Sequence, residues 1–201
     1  MLPFRQSPVI VSVTLGALLA TSSLAGAGDP PLLKMRAFAV DMSGTSAAAR
    51  AGTIDITIER WTTDEEQKKL ADVLVEKGGG ELRSALEKIK PRAGYINTTG
   101  NLGWDVHYAR QTAYGDGARR IIIATDRPMS FWELRDRPRS ADYEFLLMEI
   151  RLNKDGQGEG KMATAAKISY NEVSRTIEIE NYSNEPVRLT KVEVIEPKPK
   201  K

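Results

Sequence analysis

Residues 53–61 read TIDITIERW, with Ile54, Ile56 and Ile58 alternating against Thr53, Asp55, Thr57 and Glu59. Strand side chains point to opposite faces in turn, so this two-residue period builds an element with one apolar and one polar face. Such an element needs a core to cover it. The pattern recurs along the chain in short runs. Residues 35–41 are apolar enough for a first strand, and 94–98 for another short one. Residues 102–112 set Trp104, Val106 and Tyr108 on one face and Asp105, His107 and Ala109 on the other. Gly115-Asp116-Gly117 then turns the chain into 118–125, and the spacing predicts a hairpin over 102–125. Residues 143–152 line up Leu146, Met148, Ile150 and Leu152. A glycine-rich reversal at 153–160 leads to a returning strand over 161–170. Ile177 and Ile179 alternate with Glu178 and Glu180. In 187–195 the apolar phase shifts between Leu189 and Val192, which places a β-bulge near Thr190-Lys191.

One stretch breaks the two-residue rhythm. Thr62 with Glu65 and Thr63 with Glu66 form overlapping capping boxes, and acids in a first helical turn suit the helix dipole. Asp64 with Lys68 and Glu65 with Lys69 have the spacing of helical ion pairs. Leu70, Val73 and Leu74 make an apolar stripe that ends at Gly78-Gly79-Gly80. Leu82, Ala85, Leu86 and Ile89 make a second, stopped by Pro91. The expectation is a mainly β fold, an antiparallel sandwich or barrel of about eight or nine strands, with a helical hairpin inserted at 63–90.

The ends read differently. Arg5, the apolar run VIVSVTLGALLA over 9–20 and the small residues Ala25-Gly26-Ala27 fit a signal peptide over 1–27. That run is short for a span of roughly 20 apolar residues, so no stable membrane span is expected after cleavage. Residues 28–34, with Asp29-Pro30-Pro31, read as a linker, 35–195 as one β-rich domain and 196–201 as a disordered basic tail. A periplasmic or extracellular location follows as an expectation. The chain has no cysteine, which removes disulfides, thiol nucleophiles, zinc–thiolate sites and iron–sulfur clusters. Its formal net charge is +2, without the basic surplus of a dedicated nucleic-acid binder.

Chemistry is sparse. His107 is the only histidine, and Asp105 two residues before it shares its strand face, so the pair is the one weak candidate for a hydrolase base and its orienting acid. No G-x-S-x-G elbow accompanies it. A carboxylate pair is a second hydrolytic option, but the acids mostly alternate with isoleucine as on a solvated sheet face. No metal set or cofactor motif stands out: Asp155-Gly156-Gln157-Gly158-Glu159 lacks the spaced ligands of a calcium loop, and Gly78-Gly79-Gly80 follows a helix, unlike a phosphate loop. The remaining candidate is the Arg/aromatic segment 126–142. There Arg127, Arg135 and Arg137 suit carboxylates or phosphates, and Phe131 and Trp132 suit a ring or a partner's surface.

The runs GYINTTGNLGWDVHYAR, RRIIIATDRPMSFWELRDRPRSADYEF and EIRLNKDGQGEGK resemble an uncharacterised family of small exported bacterial proteins. The resemblance covers about 35–194. It implies bacterial origin and export, and carries over no activity, ligand or catalytic residue. The functional expectation is therefore a non-catalytic binding or interaction domain that uses segment 126–142, with an unidentified protein or a small anionic ligand as partner. The alternatives are a hydrolase built on His107 and Asp105 or a carboxylate pair, and a carrier of a small apolar ligand.

Overall fold

Each strand of this chain has to find a neighbour, and nine of them do so almost entirely by pairing with the next in sequence. The computed structural model describes residues 31–41, 50–98, 103–126, 145–171, 176–182 and 187–195. Their order is β1 (Leu33–Asp41), β2 (Arg50–Ile58), α1 (Asp64–Lys77), α2 (Gly79–Glu87), β3 (Gly94–Thr98), β4 (Trp104–Tyr114), β5 (Ala118–Thr125), β6 (Leu146–Leu152), β7 (Gln157–Asn171), β8 (Thr176–Tyr182) and β9 (Val187–Val194). All pairings are antiparallel. Strands β1 to β7 form a continuous meander, β9 lies between β7 and β1, and the sheet closes on itself as an eight-stranded barrel. The choice between sandwich and barrel thus falls to the barrel. β8 stands outside the ring. The first half of β7 pairs with β6 and β9, while its second half, from Ala165, runs on and pairs with β8.

The alternation seen in the sequence becomes an inside and an outside. Met35, Ile56, Ile58, Ile96, Val106, Ile121, Ile123, Met148, Ile150, Met162 and Leu189 belong to one interior cluster and are 0% exposed. A side chain with no accessible surface borders no water-sized void, so the barrel is packed at these levels. Eight strands give an interior just wide enough for side chains to fill. The outward face of β4 to β6 is covered in its turn. Tyr108, Ile122, Ala124 and Leu147 form a second cluster with Leu70, Leu74, Leu82 and Leu86 of the two helices. This double cover explains why β5 carries an unbroken apolar run: Ile121 and Ile123 face in, while Ile122 and Ala124 face the helices.

The first helix begins where the sequence says, whereas α2 begins at Gly79, inside the glycine run expected only to separate the helices. Thr63 caps α1, and its side chain and that of Glu66 close the capping box reciprocally. Thr62 does something else. It is buried, its Oγ1 accepts from Ala109 N at 2.9 Å, and its own N–H donates to Ala109 O at 2.9 Å. It fastens the start of α1 to β4. Asp64 turns outward to Arg110 (2.7 Å), and among the described residues Lys68–Asp72 and Arg83–Glu87 pair along the helices.

Glu66 also takes a two-pronged bond from Arg60, Nη1 to Oε2 at 2.8 Å and Nη2 to Oε1 at 2.9 Å. Burial raises the Glu66 carboxyl, but the Arg60 hydrogen bonds and the Thr63 amide outweigh it and hold it below the usual 4.5. A lowered folded value means stability that is full above 4.5 and lost as pH falls from there through the lower folded value. Glu66→Gln is expected to cost about 1 kcal/mol at neutral pH. The gap to wild type should close on the acid side, as denaturant midpoints at a series of pH values will read.

Two irregularities matter. Lys191, at φ +50°, marks an extra residue in β9 opposite both β1 and β7, which is the expected bulge. The reversal after β6 is tighter than its glycines suggest. Asn153 Oδ1 accepts from Asp155 N and Gln157 N at 3.0 Å each, and β7 starts at Gln157. Gly158 and Gly160 lie within the strand, where a Cβ would run into the backbone of β6.

Candidate functional site

A second bulge lies in β4 and determines where the one histidine goes. Val106 pairs with Thr125 and Tyr108 with Ala124, so two steps along β4 match one along β5 and His107 is the extra residue. A bulge reverses the phase of everything after it. Val106 and Ala109 face the barrel interior, whereas Tyr108 faces the helices. The expected single face of Trp104, Val106 and Tyr108 is therefore split, and His107 does not share a solvated face with Asp105. Its side chain is 2% exposed.

His107 is held at both ring nitrogens. Nδ1 lies 3.3 Å from the carbonyl oxygen of Ile89, beyond the end of α2, and Nε2 lies 3.3 Å from Asp126 Oδ2. Both neighbours are acceptors, a carbonyl oxygen and a carboxylate oxygen. Asp126 therefore takes the role expected of Asp105. Asp105 is committed elsewhere: Arg92 donates to it at 2.7 Å and to both oxygens of Glu59 at 2.9 and 3.1 Å. The same guanidinium sits 4.8 Å above the Tyr95 ring. Hydrogen bonding by Glu59, against a smaller opposing effect of burial and with help from Asp105, pushes the Arg92 guanidinium far up. Asp105 and His107, adjacent in the pattern, belong to two separate clusters.

Other described acids are also engaged. Arg36 grips Asp55 across the β1–β2 ladder, and Arg120 and Arg151 share Glu149. Among the described residues, no group of three or more His, Cys, Asp or Glu could hold a metal.

Asp126 has a second meaning. It is the last described residue before the Arg/aromatic segment, and Arg127, Phe131, Trp132, Arg135 and Arg137 all lie outside the described residues. The two ends of that segment are placed. Leu146 N donates to Thr125 Oγ1 at 3.3 Å, and Ala124 pairs with Leu147. The segment thus leaves and rejoins the barrel at neighbouring points, and Asp126 is tied to His107 beside them.

The tie reaches further through Ile89. Its carbonyl contacts His107, and the residue also lines a groove of about 420 Å³ between α1 and α2. Leu70, Val73 and Ala85 also line it, while Lys69, Lys77, Lys88 and Lys90 stand around it with Glu66 and Glu81. Because Arg60 takes up Glu66, the lysines outnumber the one remaining acid. Of these lysines the sequence singled out only Lys69, as a helical partner for Glu65. Their shared groove depends on how α1 packs on α2.

No family model, curated protein or solved structure matches this chain. Among the described residues, no helix is long and apolar enough to cross a membrane.

Proposed function

We propose that this protein is a non-catalytic binding domain that takes an anionic ligand, either a small molecule or an acidic patch on a protein. The supporting observation is the position of the lysine-rimmed groove. Ile89 lines it and also contacts His107, which holds Asp126 at the root of the arginine-bearing segment. Lys69, Lys77, Lys88 and Lys90 thus rim a groove that Ile89 connects, through His107, to Asp126. Several cations around one concavity raise the local concentration of anions and bind them in a salt-dependent way.

The two other readings fit the geometry less well. A hydrolytic base must meet its substrate, and His107 is buried with both ring nitrogens engaged. A carrier needs an interior void, and the packed levels of the barrel offer no water-sized one to Ile56, Ile121 or Met148.

Titration calorimetry with citrate, inorganic phosphate and a short polyglutamate tests the proposal. At least one should bind at low salt and weaken steeply as salt is added. Lys69→Ala/Lys88→Ala/Lys90→Ala and Arg127→Ala/Arg135→Ala/Arg137→Ala should each weaken that binding by roughly tenfold or more, the scale of a few exposed charge contacts. Full affinity in both triple variants would remove the proposal. Activity on ester, glycoside or phosphoester substrates that disappears in His107→Ala would replace it with the hydrolase.

A further inference from the structure

The lysine groove holds more than charge. Val73 of α1, Ala85 of α2 and Ile89 just beyond it line the groove and are each half-buried, so an apolar strip between the lysines meets water. The charges are unevenly placed along that strip. Arg60 donates to Glu66 and to the Pro91 carbonyl, which brings the first turn of α1 up to the chain that follows α2. Lys69, Lys88 and Lys90 stand towards that end, while Lys77 and Glu81 flank the short link at Gly78. Arg60 engages Glu66, and Glu81 can answer one lysine, so most of the positive charge is left for a ligand. Lys69 and Lys77 both lie on α1, and their eight-residue separation is about 12 Å at a rise of roughly 1.5 Å per residue.

We propose that the occupant of this groove is an acidic amphipathic helix of a partner protein, laid with its apolar side on Val73, Ala85 and Ile89. This inference rests on the reading of the groove as an anion site and narrows it to one ligand class. Charge and apolar surface select that class together. A fatty carboxylate or a phosphate brings its charge to one point, whereas the lysines of α1 alone span about 12 Å. A wholly polar anion such as citrate leaves the apolar strip in water and gains nothing from it. A helix with apolar residues at three- and four-residue spacing and acids on its flanks answers both features, the way amphipathic helices are taken into grooves in general. The groove is open to water on one side, so its occupant keeps a wet face, as an amphipathic helix does and an acyl chain does not.

The methyl signals of Val73, Ala85 and Ile89 in a ¹³C-labelled sample report on the apolar strip, and three helical peptides of about four turns separate the contributions. One carries leucines at helical spacing among glutamates. The second has alanine for each leucine, and the third has lysine for each glutamate. The first should shift all three methyl groups and bind at least tenfold more tightly than the second, the scale of burying a few leucine side chains. The third should not bind. Lys69→Ala/Lys88→Ala/Lys90→Ala should weaken the first peptide at least tenfold and flatten its salt dependence. Val73→Ser should weaken the first peptide severalfold and leave the second unchanged, a difference that damage to the fold would not produce. If the second peptide binds as tightly as the first, the proposal falls while the anion reading stands. If no peptide binds and citrate and phosphate also fail, both fall. Tighter binding of dodecanoate or of phosphatidylglycerol vesicles than of the first peptide, with shifts at the same methyl groups, would make the ligand a lipid and overturn the proposal.

Discussion

Gly94→Ala should cost more than about 3 kcal/mol, the upper range for forcing atoms into a packed interior, and should leave little soluble protein. Gly94 opens β3 and is paired on both sides, with Ile58 of β2 and Val106 of β4. A Cβ at this position would overlap the carbonyl oxygen of Thr57 and lie 3.0 Å from Ile58 Cα. Both obstacles are backbone, so no rotamer change can make room. Relief would require β2 and β3 to separate, which breaks the ladder of the barrel wall. Gly52→Ala is the matched control. It also lies in a strand, but its Cβ meets nothing within 4 Å, so its stability should change by less than about 0.5 kcal/mol. Urea unfolding of the two variants gives the comparison, and equal midpoints would show that β2 and β3 tolerate a wider spacing.

His107→Phe is expected to cost about 2 kcal/mol, even though phenylalanine fills a similar space. The loss is electrostatic. Asp126 Oδ2 and the Ile89 carbonyl would both face a ring with nothing to donate. Removing one member of a pair strands the other, and the stranded group carries the cost. Asp126→Asn should cost less, since its amide oxygen can still accept. In the double variant, the two losses should fall short of their sum by about 1 kcal/mol, because the second change removes what the first left unpaired. A denaturation cycle over the four proteins measures this. Additive losses would mean that His107 and Asp126 do not support each other.

The particular places where sequence and structure agree share a cause. The isoleucines of 54–58 alternate without interruption, so the residue period maps directly onto inside and outside. The box of Thr63 and Glu66 is local, as is the phase shift that marks the bulge at Lys191. What stayed hidden depends on residues far apart in the chain. Closure into a barrel rests on β9 reaching both β1 and β7, and no local pattern encodes that. The partner of His107 was misassigned because alternation assumes an unbroken strand, and the bulge at His107 shifts the register there. Gly158 and Gly160 suggested a long turn, whereas the ladder uses them for close approach between strands. The burial of Gln67 left a legible trace. It lies three residues before Leu70 and seven before Leu74, on the buried face of α1, where a polar residue breaks the apolar stripe.

The placement of β9 also bears on how the molecule comes to be. Met35, near the start of β1, pairs with Val194 at the end of β9, and β9 is the last of the described strands. Before β9 docks, β1 and β7 both present unsatisfied edges, the kind of surface on which chains join to one another. Each earlier strand can pair with its predecessor as it emerges, but the ring has to wait for the final one. The slowest event in assembly is then the meeting of two distant stretches of chain, whose entropic cost is met before any contact rewards it. The sequence that finishes the barrel is thus also the sequence that ends its period of greatest exposure to aggregation.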